Sequence, residues 1–166
     1  GVGATVTGTS GSAPDTPATA EEFERFVALH GPDLRRALAA RYGVEVGAEV
    51  TADALGLAWE RWPTIAVMAN PVGYLFRAGQ SAARRYRHRP VQFTVAPVEE
   101  PPEFDPRLPR LLERLPDRQR VAVVLVCIYD WTYPTTAAVL GISESAVRTH
   151  VSRGLAALRR ELGERE

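Results

Sequence analysis

Apolar side chains near the start of the chain recur every three or four residues, which is the spacing of one face of an α-helix. Thr19 and Glu22 have the spacing of a capping box, so the first helix is predicted to begin at Thr19. The apolar positions that follow are Phe23, Phe26, Val27, Leu34, Leu38 and Tyr42. Gly31-Pro32 lies among them and predicts a break into two helices, because proline has no amide hydrogen to donate.

The same spacing predicts two further helices before residue 90. One covers residues 48–62 and ends at Pro63. The other begins at Asn70-Pro71, where an N-cap side chain precedes proline at the first helical position, and continues to His88. Its inner face would carry Val72, Leu75, Phe76, Gly79 and Ala83.

In the second half of the chain, helices are predicted at residues 108–115 and 117–129, the latter with Asp117 as its N-cap. The apolar run VAVVLVCIY at residues 121–129 could be a buried strand when taken alone, but the helical patterns on both sides favour a helix. The run contains Cys127, the only cysteine, which is interpreted as a small buried side chain. A single cysteine excludes an internal disulfide.

Residues 132–162 have the pattern of a helix-turn-helix. Thr132 and Ser143 would cap its two helices, and Gly141 would be the left-handed residue in the turn. The apolar face of the second helix consists of Val147, Val151, Leu155 and Leu158. The opposite, polar and basic face consists of Ser145, Arg148, Thr149, Ser152 and Arg153. Such a face suits the major groove of duplex DNA, and the alternative is the solvated face of a helical hairpin.

The remaining segments divide the chain into two helical domains. Residues 1–18 consist mostly of Gly, Ser, Thr, Ala and Pro, and residues 90–106 are rich in proline and acid without a helical period. The first segment is predicted to be a disordered tail and the second a flexible linker. The expected fold class is therefore all-α, with small helical domains at residues 19–89 and 107–163.

The net charge is zero, yet the charges are segregated along the chain. Residues 77–89 carry five arginines and no acid, whereas residues 91–106 carry four acids and no base. Clustered cations repel one another unless a polyanion binds them, so the arginine cluster indicates a contact with nucleic acid.

Enzymatic chemistry is not indicated. The sequence has no carboxylate pair near a histidine, no nucleophile motif, no glycine-rich phosphate loop and no metal-ligand spacing, so neither a cofactor nor a metal is expected. The longest apolar run is too short to span a bilayer, so no contact with a membrane is expected. Because no secretory signal is evident either, the cytoplasm is the expected compartment.

The stretches LPDRQRVAVVL, LGIS and VRTHVSRGLAALR, in this order within residues 108–162, resemble region 4 of bacterial RNA polymerase sigma factors. The stretches ADALGLAWERW and NPVGYLFRAGQSAARRYRHR, within residues 23–90, resemble region 2 of the same proteins. The likeness is greatest to the extracytoplasmic-function (ECF) group of the sigma-70 family. It implies an alternative sigma factor that binds core RNA polymerase, recognises −10 and −35 promoter elements and promotes transcription initiation, with an anti-sigma factor as a further partner.

The resemblance also implies roles for individual residues. The polar face of the last helix would read the −35 element. The −10 element would meet Tyr74, Arg77, Gln80, Ser81, Arg84, Arg85 and Arg87. Tyr74, Phe76 and Tyr86 could stack on unpaired bases, although Phe76 also fits a core position. Glu49 and Asp53 on the second helix would contact the polymerase, although each acid taken alone is compatible with simple solvation.

Two departures from the family pattern keep a second function open. Ala52 occupies a position where relatives have Gln, and Pro134-Thr135 replaces a stretch in which relatives often have Glu. The alternative is a helix-turn-helix DNA-binding regulator, or an anti-sigma-binding module, that does not productively engage core polymerase.

Overall fold

The structure is a computed structural model that describes residues 17–86 and 105–163. All regular elements in these two ranges are helical, which confirms the expected all-α fold. The α-helices are α1 (Pro17–Tyr42), α2 (Val44–Glu60), α3 (Trp62–Ile65), α4 (Pro71–Ala83), α5 (Leu108–Arg114), α6 (Asp117–Val123), α7 (Tyr133–Leu140) and α8 (Glu144–Leu162). A 3₁₀ turn (Arg84–Tyr86) follows α4, and a π-helical turn (Val124–Ile128) follows α6. No helix in the described ranges is long and apolar enough to cross a membrane.

The predicted disordered tail and flexible linker fall almost entirely outside the described residues. The described ends of these segments are residues 17–18, which belong to α1, and residues 105–106, which lead into α5. Helix α1 begins at Pro17, so the prediction that it starts at the capping box of Thr19 is wrong by two residues.

Helix α1 runs unbroken through Pro32, and the predicted division at Gly31-Pro32 is wrong. A proline inside a helix removes one hydrogen bond and costs about 3 kcal/mol. Leu34 and Leu38 on the next turns are 1% and 0% exposed, and each such burial stabilises by about 1.5–3 kcal/mol. Burial on the C-terminal side of the proline therefore offsets the local cost, and the helix continues to Tyr42.

Helix α2 begins at Val44, four residues before the predicted start, and packs closely on α1. The contact depends on Gly47, because a Cβ atom there would lie 2.5 Å from the Cα atom of Ala39. Helix α2 ends at Glu60, and Trp62 and Pro63 form the first turn of α3 instead. Pro63 was predicted to end a helix, but it occupies a first-turn position, where its missing amide costs nothing.

Helix α4 begins as predicted at Asn70-Pro71. The Asn70 side chain accepts a 3.0 Å hydrogen bond from the amide of Gly73, which is the expected N-cap geometry. The α-helix ends at Ala83 and continues as the 3₁₀ turn to Tyr86. Residues 87–89, which were predicted to belong to the same domain, lie outside the described residues.

The apolar run at residues 121–129 is helical, as the flanking patterns indicated, but it is not a regular α-helix. Pro116 is the N-cap of α6, so Asp117 is the first helical residue and not the predicted cap. After Val123 the helix widens into the π turn, in which the amide of Tyr129 donates to the carbonyl of Val124 over 3.0 Å. Cys127 lies on the solvent side of this turn and is exposed, so the interpretation as a buried side chain is wrong.

One hydrophobic cluster runs through both the N-terminal half (α1–α4) and the C-terminal half (α5–α8). Its fully buried side chains include Leu38, Leu75 and Phe76 from the first, and Leu112 and Leu125 from the second. Helix α1 packs on α6, and α4 packs on α7. The two halves are therefore packed directly against each other in this structure.

Candidate nucleic-acid interface

The predicted helix-turn-helix is present and is formed by α7 and α8. Thr132 caps α7 by accepting a 3.2 Å hydrogen bond from the amide of Thr135. Ser143 caps α8 in the same way, over 3.1 Å from the amide of Ala146. Gly141 between them has a φ of 69°, a left-handed conformation that glycine adopts without steric cost. These local features, predicted from residue types alone, set the angle between the two helices.

The recognition face of α8 is defined here as Ser145, Arg148, Thr149, Ser152 and Arg153. All five side chains are exposed, and the opposite face is buried through Val147, Val151 and Leu158. The separation follows from the helical period, which places these two sets about half a turn apart. The structure thus brings the predicted −35 residues together on one accessible surface, and their contact with DNA stays a prediction.

Three polar side chains of the recognition face already have partners within the chain. The Ser145 hydroxyl lies 3.2 Å from the Ser143 hydroxyl, to which it is hydrogen-bonded. Thr149 donates its hydroxyl to the carbonyl of Ser145 over 3.0 Å. The guanidinium carbon of Arg148 lies 5.0 Å from the centre of the Tyr133 ring, which is a cation–π contact. Sequence reasoning missed Tyr133, because the two residues lie on different helices and no periodic pattern relates them.

His150 lies beside the recognition face and is half-buried. This burial, and then the neighbouring Arg118 and Arg153, lower the pKa of His150 below its usual value of 6.5. The imidazole is therefore neutral at physiological pH in the free protein.

The predicted −10 residues occupy α4 and the 3₁₀ turn. Arg77, Ser81, Arg84 and Arg85 are exposed, whereas Tyr74 and Gln80 are half-buried. Arg87 lies outside the described residues. Phe76 is 2% exposed and packs in the core, which excludes stacking on a base. The core position is the one that the sequence favoured for this ring.

Glu49 and Asp53, the acids predicted to contact polymerase, contact the 3₁₀ turn that follows α4. Asp53 Oδ2 lies 3.8 Å from Arg85 Nη2. A hydrogen bond between Glu49 and Tyr86, together with desolvation, raises the pKa of the Tyr86 hydroxyl. The two predicted contact sets, for polymerase and for the −10 element, therefore share one surface and are paired there. Ala52 beside them is exposed, so the absence of Gln removes only a surface amide.

Helix α4 also contacts the helix-turn-helix directly. The Asn70 amide donates a 2.8 Å hydrogen bond to the carbonyl of Ala138 in α7. At Gly73, a Cβ atom would lie 3.0 Å from that same carbonyl oxygen. Between the halves is a cavity of about 190 Å³, and Gln80, Arg118 and His150 are among the residues that line it. Part of the predicted −10 surface is therefore covered by the C-terminal half.

Arg120 links the two halves through buried hydrogen bonds and was not identified from the sequence. Its side chain is 2% exposed, and it donates hydrogen bonds to five different residues, of which the carbonyl of Glu113 is the most distant acceptor at 3.5 Å. Across the interface, Nε reaches the carbonyl of Ala40 at 2.8 Å and Nη2 reaches that of Arg41 at 2.7 Å. Within its own half, Leu115 accepts at 3.1 Å and Asp117 at 2.6 Å. A buried cation is tolerated here because its donors are so fully paired.

No group of three or more His, Cys, Asp or Glu side chains in the described parts of the chain is arranged to hold a metal ion.

Comparison with known proteins agrees with this geometry. Residues 106–158 match the family model of sigma-70, region 4. The sigma factor RpoE of Bartonella quintana, solved in complex with the anti-sigma factor NepR, is similar in fold. It has a TM-score of 0.60 and 21% identity, and the match covers 88% of this chain and 99% of that chain. CnrH, solved in complex with the cytosolic domain of CnrY, has a TM-score of 0.59 and 27% identity. The match covers 89% of this chain and 91% of the CnrH chain.

No curated protein sequence matches the chain significantly. The all-helical fold and the helix-turn-helix, together with these similarities, support a sigma-factor role in transcription. The family match covers residues 106–158, and the similarity in fold extends over most of the chain, so both comparisons support a sigma-70-type factor. The resemblance stated from the sequence is confirmed.

Proposed function

We propose that the protein is an alternative sigma factor that binds core RNA polymerase and directs it to promoters with −10 and −35 elements. The observation that carries this proposal is the recognition face of α8. It is exposed and basic, and it lies on a correctly capped helix-turn-helix within the residues that match sigma-70 region 4.

In the −35 element, α8 would lie in the major groove with its N-terminal turns facing the base edges. Arg148 and Arg153 would each offer two parallel donors to a guanine, and Ser145, Thr149 and Ser152 would contact bases or phosphates. The face has small side chains between the two arginines, which lets the helix backbone approach the groove.

In the −10 element, the exposed arginines of α4 and the 3₁₀ turn would follow the phosphates, and Tyr74 would stack on an unpaired base. Arg77 and Arg84 have no carboxylate partner among the described residues, which leaves both free for phosphate. Gln80, Ser81 and Arg87 complete the proposed −10 set.

Glu49 and Asp53 on α2 would contact core polymerase. Asp53 forms an ion pair with Arg85, and Glu49 is hydrogen-bonded to Tyr86. On binding, the two acids would exchange these partners for polymerase, and Arg85 and Tyr86 would exchange them for DNA. This exchange costs little at the Asp53–Arg85 pair, because an exposed ion pair stabilises by only about 0–1 kcal/mol.

The two halves would have to separate for both elements to be read together. Elements centred about 25 base pairs apart are roughly 85 Å apart along B-form DNA. Helices α4 and α7 are in direct contact in this structure, and Asn70 bonds across that contact. We therefore propose that residues 19–89 and 107–163 act as separate domains on the promoter, joined by residues 90–106.

An anti-sigma factor is proposed as a further partner. The relatives RpoE and CnrH are each bound to such a factor or to part of one. Recovery of only polymerase subunits in a pull-down with the full chain from its native cells would count against this partner.

The alternative function, a DNA-binding regulator or anti-sigma-binding module without productive polymerase binding, is favoured only by Ala52 and Pro134-Thr135. The structure leaves Ala52 on the surface and keeps the cap at Thr132 intact despite Pro134. Neither departure disturbs the surfaces that the sigma-factor proposal uses.

The decisive experiment is transcription by core RNA polymerase with the full chain on a library of promoter sequences. Transcripts that begin at defined sites and share two upstream elements are expected. An Arg148→Ala, Arg153→Ala variant should lose the selection at the upstream element and serves as the matched control. DNA binding without promoter-specific transcripts would instead support the regulator.

A further inference from the structure

Tyr133 supports Arg148 from the neighbouring helix. Tyr133 is the first residue of α7, and Arg148 lies in the second turn of α8. The guanidinium carbon is 5.0 Å from the ring centre, within the distance at which a ring face attracts a cation. In the described part of the chain, Arg148 has no ion pair that competes with this contact.

The ring itself is held in place by the core. Tyr133 is half-buried and packs against a small hydrophobic cluster, separate from the one that joins the two halves, in which Ala137 and Val147 are buried. Its backbone is fixed on one side by the Thr132 cap and on the other by Pro134, whose φ is restricted. The packing and the cap therefore support the ring through contacts that do not involve Arg148.

A stacked guanidinium keeps its donors available. When a guanidinium stacks on a ring, the face of the planar group lies against the ring and its five N–H groups point outward in the plane of the guanidinium. The fork that bonds to guanine O6 and N7 is thus restricted in direction before DNA arrives. A long exposed side chain without such support would sample many rotamers and lose more freedom on binding.

We propose that Tyr133 is a positioning residue that holds the Arg148 guanidinium for base reading and so determines how strongly one upstream position prefers guanine. The inference rests on the proposed function, since it assumes that α8 enters the −35 major groove. Arg153 has no ring of the described residues beneath it, so the effect is confined to the base that Arg148 reads.

The test compares Tyr133→Leu with Tyr133→Phe in the full chain. Each variant is bound to core polymerase and assayed for transcription from promoters randomised at the −35 element. Selection of randomised duplex DNA by the full chain alone is measured in parallel. Tyr133→Leu should lower the guanine preference at one position by about two- to fivefold, the worth of an exposed cation–π contact. Tyr133→Phe keeps the ring and should retain the preference.

Two further variants separate positioning from a general structural role. Adding Arg148→Ala to Tyr133→Leu should cause no loss beyond that of Arg148→Ala alone. Tyr129→Leu is a control that removes a similar contact outside α8, in which the Arg36 guanidinium carbon lies 4.9 Å from the centre of the Tyr129 ring. It should leave base preference unchanged, and Tyr133→Met serves as a second ring-free variant if the leucine variant melts early.

The outcomes distinguish this inference from the proposed function. Unchanged guanine preference in both ring-free variants, or an equal loss at every position, would overturn the role of Tyr133. If the wild-type chain selects DNA with a Tyr133-dependent guanine preference but supports no transcription, the sigma-factor proposal fails and the inference stands. If the wild-type chain selects no DNA sequence in either assay, both fail.

Discussion

The guanidinium group of Arg120 donates to the backbone carbonyl of Ala40 over 2.8 Å and so joins the two halves of the chain. The same side chain reaches the carbonyl of Arg41 at 2.7 Å and is 2% exposed. Helix α1 ends at Tyr42, so Arg120 satisfies carbonyls in its last turn that have no partner within the helix. One buried cation thus caps α1 and fastens the C-terminal half to it.

Replacing Arg120 by Ala should lower the free energy of unfolding by about 2–4 kcal/mol, because several buried carbonyls lose their donor at once. Urea unfolding of the full chain measures this change. The matched control is Arg118→Ala, a neighbouring arginine of α6 that is exposed, for which a change within about 0.5 kcal/mol is expected. Equal effects of the two substitutions would contradict the role given to Arg120.

The parts of the fold that sequence predicts well are those with local causes. Asn70 and Ser143 cap the helices in which the predicted DNA-binding residues lie, and both positions are fixed by interactions within three residues. Gly141 is equally local, since its left-handed conformation is a property of glycine. The recognition face of α8 then follows from the helical period alone.

The features that sequence did not predict have distant causes. Arg120 bonds to a carbonyl 80 positions away, and Tyr133 meets Arg148 across a turn. Helix α1 passes through Pro32 because burial later in the same helix offsets the lost hydrogen bond. Cys127 is exposed because the helix widens into a π turn. None of these outcomes can be read from residue type and spacing within one segment.

Arg148→Ala should relax base preference at one position of the upstream element and cost about 1–3 kcal/mol of binding if the contact is bidentate. The affinity of the polymerase complex for promoters that differ at single upstream positions measures the base preference at each position. A uniform loss on all promoter variants would mean that Arg148 contacts phosphate instead.

Arg84→Ala combined with Arg85→Ala should weaken binding on all promoters and reduce its dependence on salt concentration. Each lost phosphate contact lowers the slope of log K against log salt by about 0.7 on single strands and 0.9 on duplex DNA. Because Arg85 also pairs with Asp53, Arg84→Ala alone, which leaves that pair intact, is the control and should already reduce the slope. A change in base preference without a change in salt dependence would contradict the phosphate role.

His150 should titrate below pH 6.5 in the free protein, and Arg118→Ala should raise its midpoint, because a neighbouring cation is removed. NMR titration of the imidazole measures both values. Since the folded-state pKa is lowered, the unfolded chain takes up the proton more readily. This contribution to stability is therefore present above about pH 6.5 and is lost as the pH falls below it. A midpoint above 6.5 would show that the imidazole is not desolvated as described.

Asn70→Asp should loosen the contact between the halves without removing the cap of α4. A carboxylate still accepts the hydrogen bond from the Gly73 amide, but it cannot donate to the Ala138 carbonyl and would face it as a second acceptor. The loss of this hydrogen bond, worth about 1 kcal/mol, should raise the population of separated halves by roughly fivefold. Small-angle scattering of the free chain would detect this as a larger radius of gyration. Ser143→Asp makes a similar cap substitution on α8, where among the described residues the side chain bonds only to Ser145 and Ala146 and not to the other half, and should leave the radius unchanged. If the Asn70→Asp variant has the same radius of gyration as the Ser143→Asp variant, Arg120 and the shared core hold the halves together without Asn70.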